Sequence, residues 1–121
     1  MEKKYLSERV VSFSKAVVKI CQELDYQKKQ VISRQLIRSA TSIGAACAEA
    51  AQAESADDFI HKMKIARKEA SETKYWFSVI EEMVNIDNIV KEDLEAIQKM
   101  LSQSIGTAIN NKKLKSSTRK E

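Results

Sequence analysis

Proline is absent from the chain, and glycine occurs only twice, at Gly44 and Gly106. These two residue types form tight turns and interrupt helices, so their scarcity argues against a β-sheet protein and against a glycine-rich phosphate loop. A chain of 121 residues is long enough to bury one hydrophobic core. The composition therefore favours a single domain built from long helices.

Long apolar runs are also missing. None approaches the roughly 18 residues that are needed to cross a bilayer. The first residues, "MEKKYLSERVVSF", contain no uninterrupted apolar segment of the kind found in secretory signal peptides. We therefore expect a cytoplasmic protein that does not associate with membranes. The two cysteines, Cys21 and Cys47, are expected to be free, because on neighbouring antiparallel helices they would lie about 22 Å apart along the helix axis.

The formal net charge of +4 is concentrated at one end of the chain. Residues 112–121 contain five Lys or Arg residues and one Glu, so they account for the whole net charge, and residues 1–111 are neutral. We predict a bundle formed by residues 1–111 and a disordered basic tail from residue 112 onward. Attraction to nucleic acid would then depend on local basic clusters and on this tail.

Apolar residues recur at alternating intervals of three and four along four segments, which is the spacing of one helix face. The segments cover residues 6–24, 28–53, 56–84 and 90–111. Ser55, followed by two acidic residues, is a predicted N-cap of the third helix. Short connections between four such helices predict an all-α fold, an antiparallel up-down-up-down four-helix bundle.

The stretch "LIRSATSIGAACAEAAQAES", residues 36–55, is rich in small residues but keeps the helical spacing. It is therefore interpreted as a helix with a small-residue face. If helices two and three form a hairpin, residues whose numbers add up to about 110 lie at the same height. Ala40 then faces Ala70, and Gly44 faces Ala66, so the two helices can approach each other closely.

The same relation predicts polar contacts between helices two and three. The predicted network consists of Arg34, Arg38, Ser42, Glu69, Glu72 and Trp76. Arg38 is expected to form an ion pair with Glu72, and Arg34 is expected to form a cation–π contact with Trp76. The alternative is a set of solvated side chains that contribute little to stability.

Several large apolar residues fall outside the main core stripes. They are Ile60, Ile65, Trp76 and Val79 on helix three, Val11 and Val18 on helix one, and Ile37 on helix two. A second apolar stripe on a small protein usually marks a partner surface, so the four residues on helix three are predicted to form the interface of a homo-oligomer. A core wider than one stripe is the alternative.

Two separated motifs carry a family resemblance. "QLIRSATSIGAACAEA" at residues 35–50 and "ADDFIHKMKIARKEASETKYWFSVI" at residues 56–80 resemble the four-helix bundle proteins encoded in intervening sequences of bacterial 23S ribosomal RNA genes. The family pattern reads close to QLLRSxTSIGANxxEA and then DFIxKMxIAxKEAxETxYWLxLL. The positions that match it are Arg38, Ser42, Ile43, Gly44, Glu49, Phe59, Lys62, Glu69, Glu72, Tyr75 and Trp76. Ala46 replaces the family's Asn, so any polar role of that Asn would be lost here.

The resemblance implies an antiparallel four-helix bundle and a ring-shaped homo-oligomer, commonly a pentamer. It also implies a role in binding RNA. Related accessory proteins of diversity-generating retroelements associate with a reverse transcriptase and with nucleic acid.

No catalytic or metal-binding constellation can be recognised in the sequence. His61 is the single histidine, and only carboxylates could join it as metal ligands. The segment "TSIGAA" lacks the glycines and the lysine of a phosphate loop. We therefore predict a protein that is not an enzyme and that uses no metal, no cofactor and no small-molecule substrate.

The candidate RNA contacts are basic residues of helix three and of the tail. They are Lys64, Arg67, Lys68, Lys74, Lys112, Lys113 and Lys115. Our first hypothesis is a non-catalytic oligomeric module that binds structured RNA, or an RNA–protein assembly, through these residues. Repetition around an oligomer would compensate for the neutral body of each subunit. The alternative is an adaptor that docks a partner enzyme and has no direct RNA role.

Overall fold

The chain forms an all-α four-helix bundle, as the apolar spacing predicted. The computed structural model describes the backbone of residues 2–120 and the side chains of residues 5–118. The helices are α1 (Glu2–Tyr26), α2 (Gln30–Ala51), α3 (Ala56–Ile80) and α4 (Asn88–Lys120). The described backbone contains no strand. Within the same residues, no helix is long and apolar enough to cross a membrane.

Helices that follow each other in the sequence pack side by side, and α4 closes the bundle against α1. Cys21 of α1 contacts Ser33 of α2, and Val10 of α1 lies next to Gly44 of α2. The residue numbers of both pairs have the same sum, as expected for antiparallel helices. The ion pairs between α2 and α3 follow a nearly constant sum in the same way.

The connections use few glycines because other residues supply the required geometry. Lys28 adopts a left-handed conformation, with φ of 61°, after the end of α1. The N–H of Lys29 donates to the carbonyl oxygen of Leu24 at 2.8 Å, and this pairing closes α1 in a Schellman motif. At the start of α3, the Ser55 hydroxyl accepts a hydrogen bond from the N–H of Asp58 at 3.0 Å, which confirms the predicted N-cap.

The core contains large side chains from α1 and α4 and mostly small ones from the contact between α2 and α3. Ala40 on α2 and Ala66 and Ala70 on α3 are completely buried. α2 and α3 make the most extensive contact of any helix pair in the bundle. The small-residue face of α2 therefore serves close helix packing, as its composition predicted.

The predicted oligomer interface on α3 is wrong for Ile60, which is a buried core residue. Ile65, Trp76 and Val79 are half-buried and pack against the core. α3 packs against both α2 and α4, so both of its flanks are covered in addition to its central stripe. The alternative of a wider core therefore describes these four positions better than an exposed oligomer interface.

The predicted disordered tail differs from the structure. α4 does not end near Asn110 but continues through Lys120. After Gly106 the sequence contains neither Gly nor Pro, so no residue interrupts the helix. Every side chain from Asn110 to Thr118 is exposed, so this part of α4 extends outside the core.

Candidate nucleic-acid interface

Arg38 is the centre of a polar network between α2 and α3. Its guanidinium forms an ion pair with Glu72, as the register predicted, and its Nη1 also lies 3.4 Å from Oε2 of Glu69. The indole N–H of Trp76 donates to Oε2 of Glu72 at 3.3 Å. The Arg38 side chain remains 48% exposed, so this network lies at the protein surface.

Two members of the predicted network make other contacts. The Ser42 hydroxyl donates to the carbonyl oxygen of Arg38 at 2.6 Å, within α2. Arg34 lines a shallow cavity between α1 and α2, so it lies on the flank of α2 away from Trp76. Trp76 packs edge-on against Tyr75, with 5.1 Å between the ring centroids. The predicted cation–π contact between Arg34 and Trp76 is therefore wrong.

Gly44 also faces a different helix from the one that the register predicted. A Cβ at this position would lie 3.2 Å from Cγ1 of Val10, so Gly44 faces α1 and not Ala66. Residue numbers that add up to a constant give the height of two residues along antiparallel helices. They do not give the direction in which each residue points around its own helix.

The two flanks of α3 differ in charge. Glu69 and Glu72 face α2, because both contact Arg38. Asp57 faces α4, because it forms an ion pair with Lys112. Helical spacing places four basic residues on the side of α3 that carries Asp57 and on its outer side. They are Lys64, Arg67, Lys68 and Lys74, of which Arg67 is half-buried and the others are exposed.

α4 adds further basic residues next to this flank. Asp93 binds Arg9 of α1 at 2.9 Å, so the Asp93 side of α4 faces α1. The opposite side, by helical spacing, carries Lys91, Lys99 and Lys113. Lys99 and Lys113 are exposed, Lys91 is half-buried, and Glu95 is an acidic residue on the same side.

We call this surface the α3–α4 basic face. It is formed by Lys64, Arg67, Lys68, Lys74, Lys91, Lys99 and Lys113. Five of the seven RNA contacts that the sequence predicts lie on this face. The other two, Lys112 and Lys115, do not. Lys112 is engaged by Asp57, and Lys115 lies on the exposed end of α4.

Lys91 and Lys99 were missed by the sequence reasoning because acidic residues stand between them in the chain. Glu92, Asp93 and Glu95 made this segment look acidic. In the helix, Asp93 turns toward α1, whereas the two lysines lie on the other side. Their spacing of eight residues, slightly more than two helical turns, is a sequence signal that could have grouped them.

Both cysteines are free. The Cys21 thiol donates to the carbonyl oxygen of Ser33 at 3.5 Å, and the Ser33 hydroxyl donates to the carbonyl oxygen of Cys21 at 3.3 Å. Burial raises the pKa of the Cys21 thiol and raises that of Cys47 to about 11. Both thiols are therefore protonated near neutral pH and poor nucleophiles. Among the side chains of residues 5–118, no three His, Cys, Asp or Glu residues form a group that could hold a metal ion.

Comparisons with known proteins agree with the fold and the sequence motifs. The family model for the 23S rRNA-intervening sequence protein matches residues 4–106. A crystal structure of a protein of unknown function from the S23 ribosomal protein family of Bacteroides thetaiotaomicron is 36% identical, with a TM-score of 0.81, over 88% of this chain and 99% of that chain. No curated protein matches significantly. The chain belongs to the 23S rRNA-intervening sequence protein family.

Proposed function

We propose that this protein is a non-catalytic module that binds structured RNA through the α3–α4 basic face. The supporting observation is the concentration of seven basic side chains on one side of the protein; six of them lie within residues 1–111, whose total charge is balanced. Phosphate contacts supply most of the affinity of proteins for nucleic acid, and Lys and Arg make these contacts. The family's description in terms of 23S rRNA is consistent with an RNA partner.

The composition of the face favours folded RNA over an extended single strand. Proteins that bind single strands usually offer aromatic side chains on which bases stack. Beside the basic face, Tyr75 is exposed, whereas Trp76 is half-buried and engaged by Tyr75 and Glu72. Lysines held on rigid helices suit a partner whose phosphates are also held in fixed positions, as in a base-paired hairpin.

A matched pair of double variants tests this proposal. Lys64 and Lys68 are exposed and four residues apart on the basic face. Lys15 and Lys19 are exposed, have the same spacing, and lie on α1 beside a cavity formed with residues 85–90. Each pair is changed to Gln, so both variants lose the same charge. Binding to a labelled RNA hairpin is then measured across a salt series.

We expect the Lys64→Gln, Lys68→Gln variant to bind the hairpin more weakly than the α1 control. Its slope of log affinity against log salt should fall in magnitude by roughly 1.5 to 2, because two phosphate contacts are lost. Equal losses in the two variants would contradict a binding face on α3 and α4. Absence of hairpin binding by the unmodified protein at low salt would contradict the proposal as a whole.

A second proposal is self-association, which would repeat the basic face in one particle. Its support is an uncharged surface on α1 and α2. Helical spacing places on this surface Ser7, Val11, Ser14 and Val18 of α1 with Ile37, Thr41, Ala45 and Ala48 of α2. Val11 is 54% exposed and Val18 is 41% exposed. A second copy could cover these valines if Asp25 and Arg34, which line the cavity beside Val18, stay at the rim of the contact.

The solution mass of the intact protein tests self-association directly. We expect an oligomer whose mass falls when Val18 is changed to Lys. The control is Val31→Lys, because Val31 is 75% exposed at a position outside this surface. A monomeric mass for the unmodified protein would contradict self-association. The uncharged surface would then fit the alternative function, docking of a different protein.

A further inference from the structure

α4 is the longest helix of the bundle, and the side chains of its last described part are all exposed. It spans 33 residues, compared with 25 in α3. Lys112 pairs with Asp57, which is the second residue of α3, so the residues after Lys112 extend past the start of α3. We call residues 110–118 the α4 arm. All of its side chains are exposed.

The side of α4 that faces the core changes from apolar to basic at the arm. Within the bundle this side presents Leu94, Ile97, Leu101 and Ile105, all of which are buried. Continued at the same spacing of three and four residues, the stripe passes through half-buried Ala108 and reaches Lys112 and Lys115. The basic stripe is therefore in line with the core-facing stripe.

The arm lacks the side-chain pairs that normally support an isolated helix. Between Glu95 and Glu121 the sequence contains no Asp or Glu, so no Glu–Lys pair can form along the arm. Lys112 is paired with Asp57 of α3, but Lys115, three residues further on, has no acidic residue within the arm and is repelled by Lys112. Short helices without packing partners are marginally stable in water. An anionic partner would relieve the repulsion and stabilise the helix.

We propose that the α4 arm binds the phosphate backbone of RNA as a helix. This inference rests on the proposed function and adds a second contact to it. The arm lies outside residues 4–106, which are the residues that match the family. Lys113 belongs both to the α3–α4 basic face and to the arm, so the two surfaces are continuous. The charge of the arm is opposite to that of the phosphate backbone, and its helical form sets the spacing of the lysines.

The alternative is that the arm attracts RNA by charge alone, as a disordered basic tail would. Ser116 offers a way to separate the two, because it is exposed and uncharged. Ser116→Pro removes the backbone N–H of this residue and clashes with the preceding turn, so it breaks the helix. It keeps every charge. Ser116→Ala keeps both the charges and the helix, and it is the control.

We expect the full-length Ser116→Pro variant to bind a labelled RNA hairpin roughly fivefold more weakly than Ser116→Ala, because the arm must then be ordered on binding. Circular dichroism should show lower helicity for the Pro variant. Both variants should have the same melting temperature, because the arm contributes no side chain to the core. A third variant, Lys113→Gln with Lys115→Gln, should also weaken binding and should reduce the salt dependence.

Equal affinities of the Pro and Ala variants would contradict RNA binding by a helical arm. If the Lys64 and Lys68 double variant still binds more weakly, the proposed RNA-binding basic face would remain. An unchanged affinity after replacement of Lys113 and Lys115 would also overturn it. If the unmodified protein does not bind the hairpin, the proposed function fails together with the inference.

Discussion

The hydroxyl oxygen of Thr73 lies 2.9 Å from that of Ser39, and both side chains are completely buried or nearly so between α3 and α2. The Ser39 hydroxyl also donates to the carbonyl oxygen of Leu36 at 3.1 Å. The Thr73 hydroxyl lies 2.9 Å from the carbonyl oxygen of Glu69 as well. Buried polar groups are tolerated when they are hydrogen-bonded, and this pair satisfies that condition across the helix contact.

Replacing Thr73 by Val should destabilise the protein by about 1 to 2 kcal/mol, because Ser39 loses its partner on α3 while it stays buried. Val has nearly the same shape as Thr, so the packing around it is preserved. The free energy of unfolding, measured by urea denaturation, tests this expectation.

Ser39→Ala with Thr73→Val completes a double-mutant cycle. The double variant should lose less stability than the two single variants together, by about 0.5 kcal/mol or more, because each single variant already loses the bond between the two hydroxyls. Strict additivity would show that the two hydroxyls do not support each other.

The sequence predicts a contact between α2 and α3 correctly where the position of two residues along the helix axes is enough to bring their side chains together. Arg38 and Glu72 meet because their side chains are long enough to reach across the α2–α3 contact from the same height. Arg34 and Trp76 have the same relation in number, but Arg34 points toward α1. Apolar spacing gives the period of a helix face, whereas the direction of flanking residues depends on which neighbours pack on each side.

The end of the bundle and part of the basic face could not be predicted for a related reason. The composition predicts a charged, disordered tail over residues 112–121, but the absence of Gly and Pro after Gly106 allows α4 to continue as far as Lys120. Lys91 and Lys99 are close to acidic residues in the sequence. In the helix they lie on a different side of α4 from Asp93, which faces α1. The net charge of a sequence segment combines residues that lie on different sides of a helix, so it does not give the charge of any one side.

Loss of the ion pair between Arg38 and Glu72 should have little effect on stability. Arg38→Gln is expected to cost less than about 1 kcal/mol, because exposed ion pairs gain little after the screening by solvent. The side chains of Arg38 and Glu72 are 48% and 37% exposed. Thermal unfolding of the variant tests this expectation, with Thr73→Val as the comparison. A loss larger than that caused by Thr73→Val would contradict it.

The two glycines should respond differently to replacement by Ala. A Cβ at Gly106 meets no atom within 4 Å, so Gly106→Ala should stabilise the protein by about 0.5 to 1 kcal/mol through its higher helix propensity. A Cβ at Gly44 would lie 3.2 Å from Cγ1 of Val10, so the same gain is opposed by a close contact. Val10 is buried and stiff, which limits its adjustment.

Urea denaturation of the two glycine variants provides the measurement. Gly106→Ala should raise the free energy of unfolding, and Gly44→Ala should raise it less or lower it. An equal or larger gain for Gly44→Ala would mean that Val10 moves aside at no cost, and that the contact between α1 and α2 is less tightly packed than the distance indicates.

The Cys47 thiol should react slowly in the folded protein, because burial raises its pKa to about 11 from an ordinary value of 9.0. The thiolate is the form that iodoacetamide alkylates. At pH 8 the thiolate population of Cys47 should be roughly a hundredfold lower in the folded chain than in the unfolded chain. Mass spectrometry of the alkylated peptides separates Cys47 from Cys21, and urea-unfolded protein is the control.

The same shift in pKa sets the sign of a pH effect on stability. Since folding raises the pKa of Cys47, the folded state holds its proton more tightly than the unfolded state does. The contribution to stability is complete below pH 9.0 and is lost as the pH rises toward about 11. We therefore expect the alkylation rate of native Cys47 to keep rising above pH 9.0, where the rate in the unfolded chain levels off. Parallel profiles for the two states would contradict a buried thiol.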